Sequence, residues 1–360
     1  MERVYNFSAG PAVMDEGVLQ KAASELVCYK DKGMSVMEMS HRTSMFMDIY
    51  NEAVALVREV LSVPDDYAVL FMQGGATLQF SGVPLNLMSD SKVADYIDTG
   101  NFAHLALKEA EKYGTVNVAA TSLAENYTFI PEMDTLQLTT GADYVYITTN
   151  NTIYGTRYVD FPDTKGVPLV ADMSSNIASQ PMDVSKFGVI FAGAQKNIGP
   201  AGICLMLIRK DLLGKQSPIC PKLMNWKLQA EKDSMLNTPN TWGIYMMKLV
   251  FAWMKEKGGI DAFYENNQKK AALLYDYIDN SKLFSNPVQK KYRSLMNVTF
   301  VTGDIDKDAA FVKMCTANGL QNIKGHRNVG GMRASIYNAM PMAGVEKLVQ
   351  VMREFEKQNL

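Results

Sequence analysis

Between Tyr67 and Ile208 the chain is punctuated by short apolar runs, YAVLFM, KVADYI, YVYITT, VPLVADM, GVIFAGA and ICLMLI. Several of them lack the alternation of a half-exposed strand. A strand that is apolar on both sides must be buried on both sides, and a largely parallel sheet with helices on each face provides that environment. Helical segments such as 101–113 lie between some of the runs and supply the crossovers a parallel sheet requires. The fold class this pattern predicts is α/β.

The flanking segments have a different texture. After Asp15 an amphipathic run carries Val18, Leu19, Ala22, Ala23, Leu26 and Val27 toward Gly33. A second run carries Ile49, Ala53, Leu56, Val57, Val60 and Leu61 before Pro64, so two helices are predicted. From Thr241 to Ser281 two further helical stretches follow, then a strand near 295–301, a helix near 306–318 and a last helix over about 343–358. That tail predicts a second, smaller α+β domain, and 360 residues suffice for two.

Composition excludes several classes. Lys and Arg total 36 against 38 Asp and Glu, so no overall field would hold nucleic acid or an anionic membrane. The most apolar late segment, YMMKLVFAWM, is interrupted by Lys248 and is half the roughly 20 residues of a membrane span, which predicts a buried helix. MERVYNFSAGPAV contains no apolar stretch of about 7 to 15 residues and does not read as a secretory signal. Four scattered cysteines and three histidines indicate neither a disulfide framework nor a metal site. A reducing, cytoplasmic setting is expected.

In open parallel sheets ligands bind beyond the carboxyl ends of the strands. YAVLFMQ leads into Gly74-Gly75-Ala76-Thr77, a glycine turn opening a helix whose free N–H groups suit a phosphate, although a ligand-free tight turn reads the same way. VPLVADM places Asp172 near its end, before Ser174 and Ser175, where a helix N-cap or an internal salt bridge is the alternative to a functional carboxylate. GVIFAGAQ delivers Lys196 into NIGPAG, where burial would favour the neutral, nucleophilic amine; a surface lysine is the alternative. Together these are the parts needed to hold pyridoxal phosphate: a phosphate cradle, a carboxylate for the pyridine nitrogen, and an amine for covalent attachment. The same amine would move the proton between the substrate Cα and the cofactor.

A cationic group stands beside this one. Two of the three histidines lie in H-R dipeptides, His41-Arg42 and His326-Arg327, and Arg333 follows in GGMRASIYNAM. Arginine grips carboxylates and phosphates with a planar fork, so a substrate with several anionic groups is suggested, with scattered surface charge as the alternative.

The chain resembles the phosphoserine aminotransferases of the class-V, small-subunit group of pyridoxal-phosphate enzymes. The likeness runs nearly end to end, through NFSAGPA, SVMEMSHR, the GGATLQF turn, VPLNL, ADYIDTG, ADMSSNI, AGAQKNIGPAG, the NTP at 237–239 and KGHRNVGGMRASIYNAM. The resemblance implies the type I fold of pyridoxal-phosphate transferases, with a large domain over 16–258 and a small one from 1–15 and 259–360. It implies Lys196 as the attachment point and Asp172 on the pyridine nitrogen. Ala76, Thr77 and Gln195 fall at the phosphate, Thr152 near the ring hydroxyl, and Phe102 against the ring. Asn237 and Thr238 would reach the phosphate from the partner subunit of a homodimer. Arg333 would take the substrate α-carboxylate, and His41, Arg42, His326 and Arg327 the distal anion.

The reaction implied is reversible transamination between L-glutamate and 3-phosphohydroxypyruvate, giving 2-oxoglutarate and O-phospho-L-serine in serine synthesis. 4-Phosphohydroxythreonine, of pyridoxine synthesis, is a second candidate substrate. Two positions depart from the pattern: many members carry tryptophan at Phe102, and some carry arginine at Thr77. A lyase or desulfurase would instead need a nucleophilic cysteine, with Cys220 and Cys315 as candidates by elimination. A regulatory protein that binds the cofactor without turnover is the rival outside enzymes.

Overall fold

The structure, a computed structural model, describes residues 3–360. Seven strands form its central sheet: β1 (Tyr67–Gln73), β2 (Val93–Asp98), β3 (Thr115–Thr121), β4 (Tyr144–Thr148), β5 (Leu169–Asp172), β6 (Val189–Gly193) and β7 (Ile203–Arg209). Their spatial order is β1-β7-β6-β5-β4-β2-β3. Only β7 runs against its neighbours, and the other pairs are parallel. The carboxyl ends of β1, β4, β5 and β6 therefore open onto the same edge of the sheet.

Burial on both faces explains the apolar runs. In β1, Val69 and Phe71 pack into a layer with Ile49, Val57 and Phe251, while Ala68, Leu70 and Met72 pack into the opposite layer with Phe80, Val83 and Leu107. Helices Ser44–Leu61 and Thr241–Glu256 cover the first face, and Gln79–Leu87 and Asn101–Ala110 cover the second. YMMKLVFAWM lies in the buried helix expected for it, and among the described residues no helix is long and apolar enough to cross a membrane.

Two local expectations change. The first helix covers Glu16–Ser24 and stops well short of Gly33, because Leu26 and Val27 find no core to enter and stand 40% and 82% exposed. β3 gave no apolar run because it is an edge strand, and within it only Ala119 is buried.

The tail builds its own apolar cluster around Phe284, Phe300, Phe311 and Phe355. Helices Gly259–Asn280, Ile305–Ala317 and Met342–Asn359 pack there. The strand Asn297–Phe300 pairs antiparallel with Met332–Ser335. Phe7 joins the same cluster, and Tyr5–Asn6 pairs with Leu320–Gln321, so the start of the described chain folds back onto its tail. Residues 1 and 2 of the expected small domain lie outside the described residues. The helix Gly259–Asn280 joins the two regions, with Phe263 in the large cluster and Ala271, Leu274 and Ile278 in the tail cluster.

Candidate active site

Lys196 follows β6 by three residues and turns back toward the carboxyl edge of the sheet. Its stem runs past Gly10, where a Cβ would stand 3.5 Å from Lys196 Cγ and where φ is +152°, so glycine suits both the space and the backbone. The Nζ donates to Thr152 Oγ1 at 2.7 Å and lies 5.5 Å from the centroid of the Phe102 ring. Burial pulls this amine down to about 8; Asp172 works against that shift and Arg333 adds to it. A surface lysine is excluded.

Asp172 closes β5. Its Oδ1 accepts from the Ser174 N–H at 2.9 Å, and burial raises its carboxyl above the usual range while Ser174 and Lys196 draw it back. No helix starts there, and no internal salt bridge holds it among the described residues. The carboxylate is thus buried beside an amine that itself gives up its proton readily.

At the end of β1, Gly74 has φ +84° and its N–H donates to Gly202 O at 3.2 Å. The short helical turn Ala76–Leu78 then leads into Gln79–Leu87, and Gly75 at its start supplies no side-chain cap. Helix-start N–H groups without a cap suit an anion. Thr77 is exposed at this turn, and Gln195 Oε1 is buried nearby without a partner.

Arg333 comes from the tail strand Met332–Ser335. One guanidinium nitrogen donates to Thr152 O at 3.4 Å, and Nε is buried without a partner. His326 stands beside it, its imidazole held below the usual range by burial and then by Arg333 and Arg327.

A cleft of about 260 Å³ brings together Ala76, Thr77, Phe102, Thr152, Asp172, Gln195, Lys196, His326 and Arg333. Ala9, Gly10, Thr148, Asn150, Ser174 and Ser175 also line it. Of these, Ala9 and Gly10 sit in the NFSAGPA stretch and the serines follow Asp172, but nothing local in the sequence marks Thr148 or Asn150. The other expected residues lie outside this cleft in the single chain. Gln73 Nε2 donates to Asn237 Oδ1 and Thr238 O, each at 2.9 Å, which places both beyond β1. His41 and Arg42 occupy the turn before helix Ser44–Leu61, and Arg327 is exposed next to His326. A larger cavity of about 510 Å³, bordered by Glu59, Phe161 and Asp261, contains none of these groups.

Cysteine chemistry has no support here. Burial pushes the Cys315 thiol up to about 12 and raises that of Cys220, and neither lines the cleft. What the cleft offers is an amine of lowered basicity, a buried carboxylate, an aromatic face, an uncapped helix start and a guanidinium.

Comparison with known proteins agrees with that chemistry. The aminotransferase class-V family matches residues 4–348. The phosphoserine aminotransferase of Bacillus cereus is 54% identical over 359 residues, covering 100% of each chain. That of Listeria monocytogenes is 54% identical over 357 residues, covering 99% of this chain and 97% of the relative. The structure of phosphoserine aminotransferase from Bacillus circulans subsp. alkalophilus superposes with a TM-score of 0.98 at 43% identity, over 100% of both chains. The PLP-bound phosphoserine aminotransferase from Trichomonas vaginalis gives 0.94 at 41% identity, over 98% of this chain and 100% of that one. The chain belongs to the class-V aminotransferases. Its place within that class is the phosphoserine aminotransferase family.

Proposed function

We propose that this chain binds pyridoxal 5'-phosphate and transfers an amino group reversibly between L-glutamate and 3-phosphohydroxypyruvate, giving 2-oxoglutarate and O-phospho-L-serine. One observation carries the reading: the buried Nζ of Lys196 is held by Thr152, between Asp172 and Arg333, with its proton loosened to about 8. The residues fit the cofactor, since an uncapped helix start, a partnerless Gln195 Oε1, a buried carboxylate and an aromatic face converge on that amine. When bound, the cofactor supplies a carbonyl for the amine and a ring that draws electrons from the substrate Cα.

On this reading each residue takes a role that its position supports. Lys196 would be the attachment point for the cofactor and, as a free amine, would take and return the proton at the substrate Cα. Asp172 keeps the pyridine nitrogen protonated. The N–H groups of Ala76 and Thr77, with Gln195, would hold the phosphate, Phe102 would hold the ring and Thr152 would bind near its hydroxyl. Arg333 receives the α-carboxylate common to every substrate. His326 lies within its own chain's cleft, whereas His41, Arg42 and Arg327 complete the distal anion pocket only when copies of the chain come together. The same holds for Asn237 and Thr238 at the phosphate, so the working unit is a homodimer with shared sites.

4-Phosphohydroxythreonine presents the same two anions and is a second substrate on this reading. The large domain spans 16–258 and the small one 1–15 and 259–360, with the cleft between the sheet edge and the Arg333 strand. A cytoplasmic location fits cysteines that form no disulfide among the described residues.

The test is a coupled assay of 2-oxoglutarate released from glutamate, with 3-phosphohydroxypyruvate, the keto acid of 4-phosphohydroxythreonine, or glyoxylate as acceptor. Turnover with the two phosphorylated acids at kcat/KM at least about 100-fold above glyoxylate is expected, equivalent to one well-placed charged contact. A preference for glyoxylate would overturn the substrate assignment. No spectral change on adding glutamate would overturn the reaction.

A further inference from the structure

Lys270, in helix Gly259–Asn280, has no exposed surface, yet it ends in an amine. Its Nζ donates to three backbone carbonyls: Ile336 at 3.0 Å, Tyr337 at 2.7 Å and Met340 at 3.1 Å. No carboxylate pairs with it among the described residues, and burial pulls the amine down to about 7. A buried cation without an anion costs free energy that an apolar side chain of similar length does not, and three charge-assisted bonds return part of that cost. What the arrangement organises is the turn 336–340, immediately after the strand that bears Arg333.

The other contacts of this turn lead to Lys196 from two sides. Tyr337 OH donates to Ala9 O at 2.7 Å, beside the Gly10 that makes room for the lysine stem. The Asn338 N–H donates to Asn197 Oδ1 at 3.0 Å, one residue beyond Lys196. Asn338 Oδ1 also accepts from Asn267 Nδ2 at 2.8 Å, one turn before Lys270 on the same helix. The helix thus holds the turn at two points, and the turn holds Ala9, beside the lysine stem, and Asn197, the residue after Lys196.

We propose that Lys270 is a positioning residue for Lys196: by gathering three carbonyls it sets the turn 336–340, whose Tyr337 and Asn338 fix the lysine stem against Gly10 and keep water from it. This rests on the reading of Lys196 as the reacting amine, and its test is separable from transamination. Desolvation is the largest influence on Lys196, so loosening the cradle should return its acidity toward that of a free lysine.

Two full-length variants address it. Lys270→Met keeps the length and removes the donors. Tyr337→Phe keeps Lys270 and the ring, and removes the hydroxyl contact to Ala9. In protein stripped of bound aldehyde, the pH dependence of Lys196 modification by trinitrobenzenesulfonate, followed by peptide mass, reports the amine directly. The apparent value for Lys196 is expected to rise by about one unit or more in both variants. In the loaded enzyme kcat should fall at least about 10-fold with KM for glutamate within about threefold, the pattern of lost reacting geometry. A brace that only stabilises the fold would lower the melting temperature in both variants and leave the modification profile and kcat at parental values, which overturns the proposal. If Lys270→Met does not fold, Tyr337→Phe decides alone by the same criterion. A profile that moves in protein whose parent shows no transamination supports the positioning role and removes the proposed reaction instead.

Discussion

Lys196 and Arg333 are held by opposite ends of one residue: the lysine Nζ donates to Thr152 Oγ1 at 2.7 Å, and the arginine donates to Thr152 O at 3.4 Å. The lysine comes from the end of β6 and the arginine from a tail strand, so Thr152 ties the amine of the large sheet to a guanidinium of the tail.

Replacing Thr152 by Val removes the hydroxyl contact and leaves the backbone contact to Arg333. A hydrogen bond to a charged group contributes about 1.5 to 3 kcal/mol, so kcat with glutamate should fall roughly 10- to 100-fold. KM should change little, and Thr152→Ser should restore most of the rate. Parental kcat in Thr152→Val would mean the hydroxyl does not orient the amine.

The two charged neighbours of Lys196 push its acidity in opposite directions, and this gives a paired prediction. Asp172 favours the ammonium, so Asp172→Asn should bring the amine below about 8. Arg333 disfavours it, so Arg333→Gln should bring the amine above about 8. The pH dependence of Lys196 modification in each variant provides the measurement. Shifts of the same sign in both would show that altered hydration, and not charge, controls the site.

Much of this site could be read in the sequence because its groups end apolar strands. Asp172 closes one buried apolar strand and Lys196 is the first ionisable residue after another, and the glycine pair after β1 marks its turn in the same way. Thr152 is a different case. It follows the short strand Asn150–Asn151 in a segment crowded with threonine and asparagine, where no local pattern separates the residue that touches Lys196 from its neighbours. The burial of Lys270 is equally hidden in the sequence, since a lysine on an amphipathic helix normally faces water and only the packed structure places it under three carbonyls. Strands of two residues, such as Tyr5–Asn6, and a half-exposed edge such as β3 carry too little periodicity to register.

In the proposed function the cationic residues divide by the anion they serve, and substrate choice can separate them. If Arg42 and Arg327 bind the distal anion, truncating either to Ala leaves that anion short of a charge-assisted bond, at a cost of about 2 to 5 kcal/mol. This corresponds to a loss of roughly 30-fold to several-thousand-fold in kcat/KM for glutamate and phosphoserine. Alanine has no distal anion and should lose little further in these variants, whereas Arg333→Ala should weaken all three amino donors alike. Lysine replacements should recover only part of the loss, because the ammonium keeps the charge without the fork. Equal losses for alanine and phosphoserine in the Arg42 and Arg327 variants would assign those arginines to the fold or the cofactor.

The shared site of the proposed homodimer can be tested by complementation. Asn237 and Thr238 hang from Gln73 beyond β1 and do not line the cleft of their own chain. Lys196→Ala should fold and lose transamination by several orders of magnitude, since the proposed attachment and proton-transfer roles vanish together. A chain with Asn237→Ala and Thr238→Ala should hold the cofactor phosphate poorly. In a hybrid dimer of the two, one site combines both defects. The other combines the intact Lys196 of one chain with the intact Asn237 and Thr238 of its partner. Mixed dimers should therefore regain activity, up to about half that of the parent per hybrid when sites act independently. If each chain instead used its own Asn237 and Thr238, every site in the hybrid would carry a defect. Verified subunit exchange without recovered activity would establish that arrangement and remove the shared site.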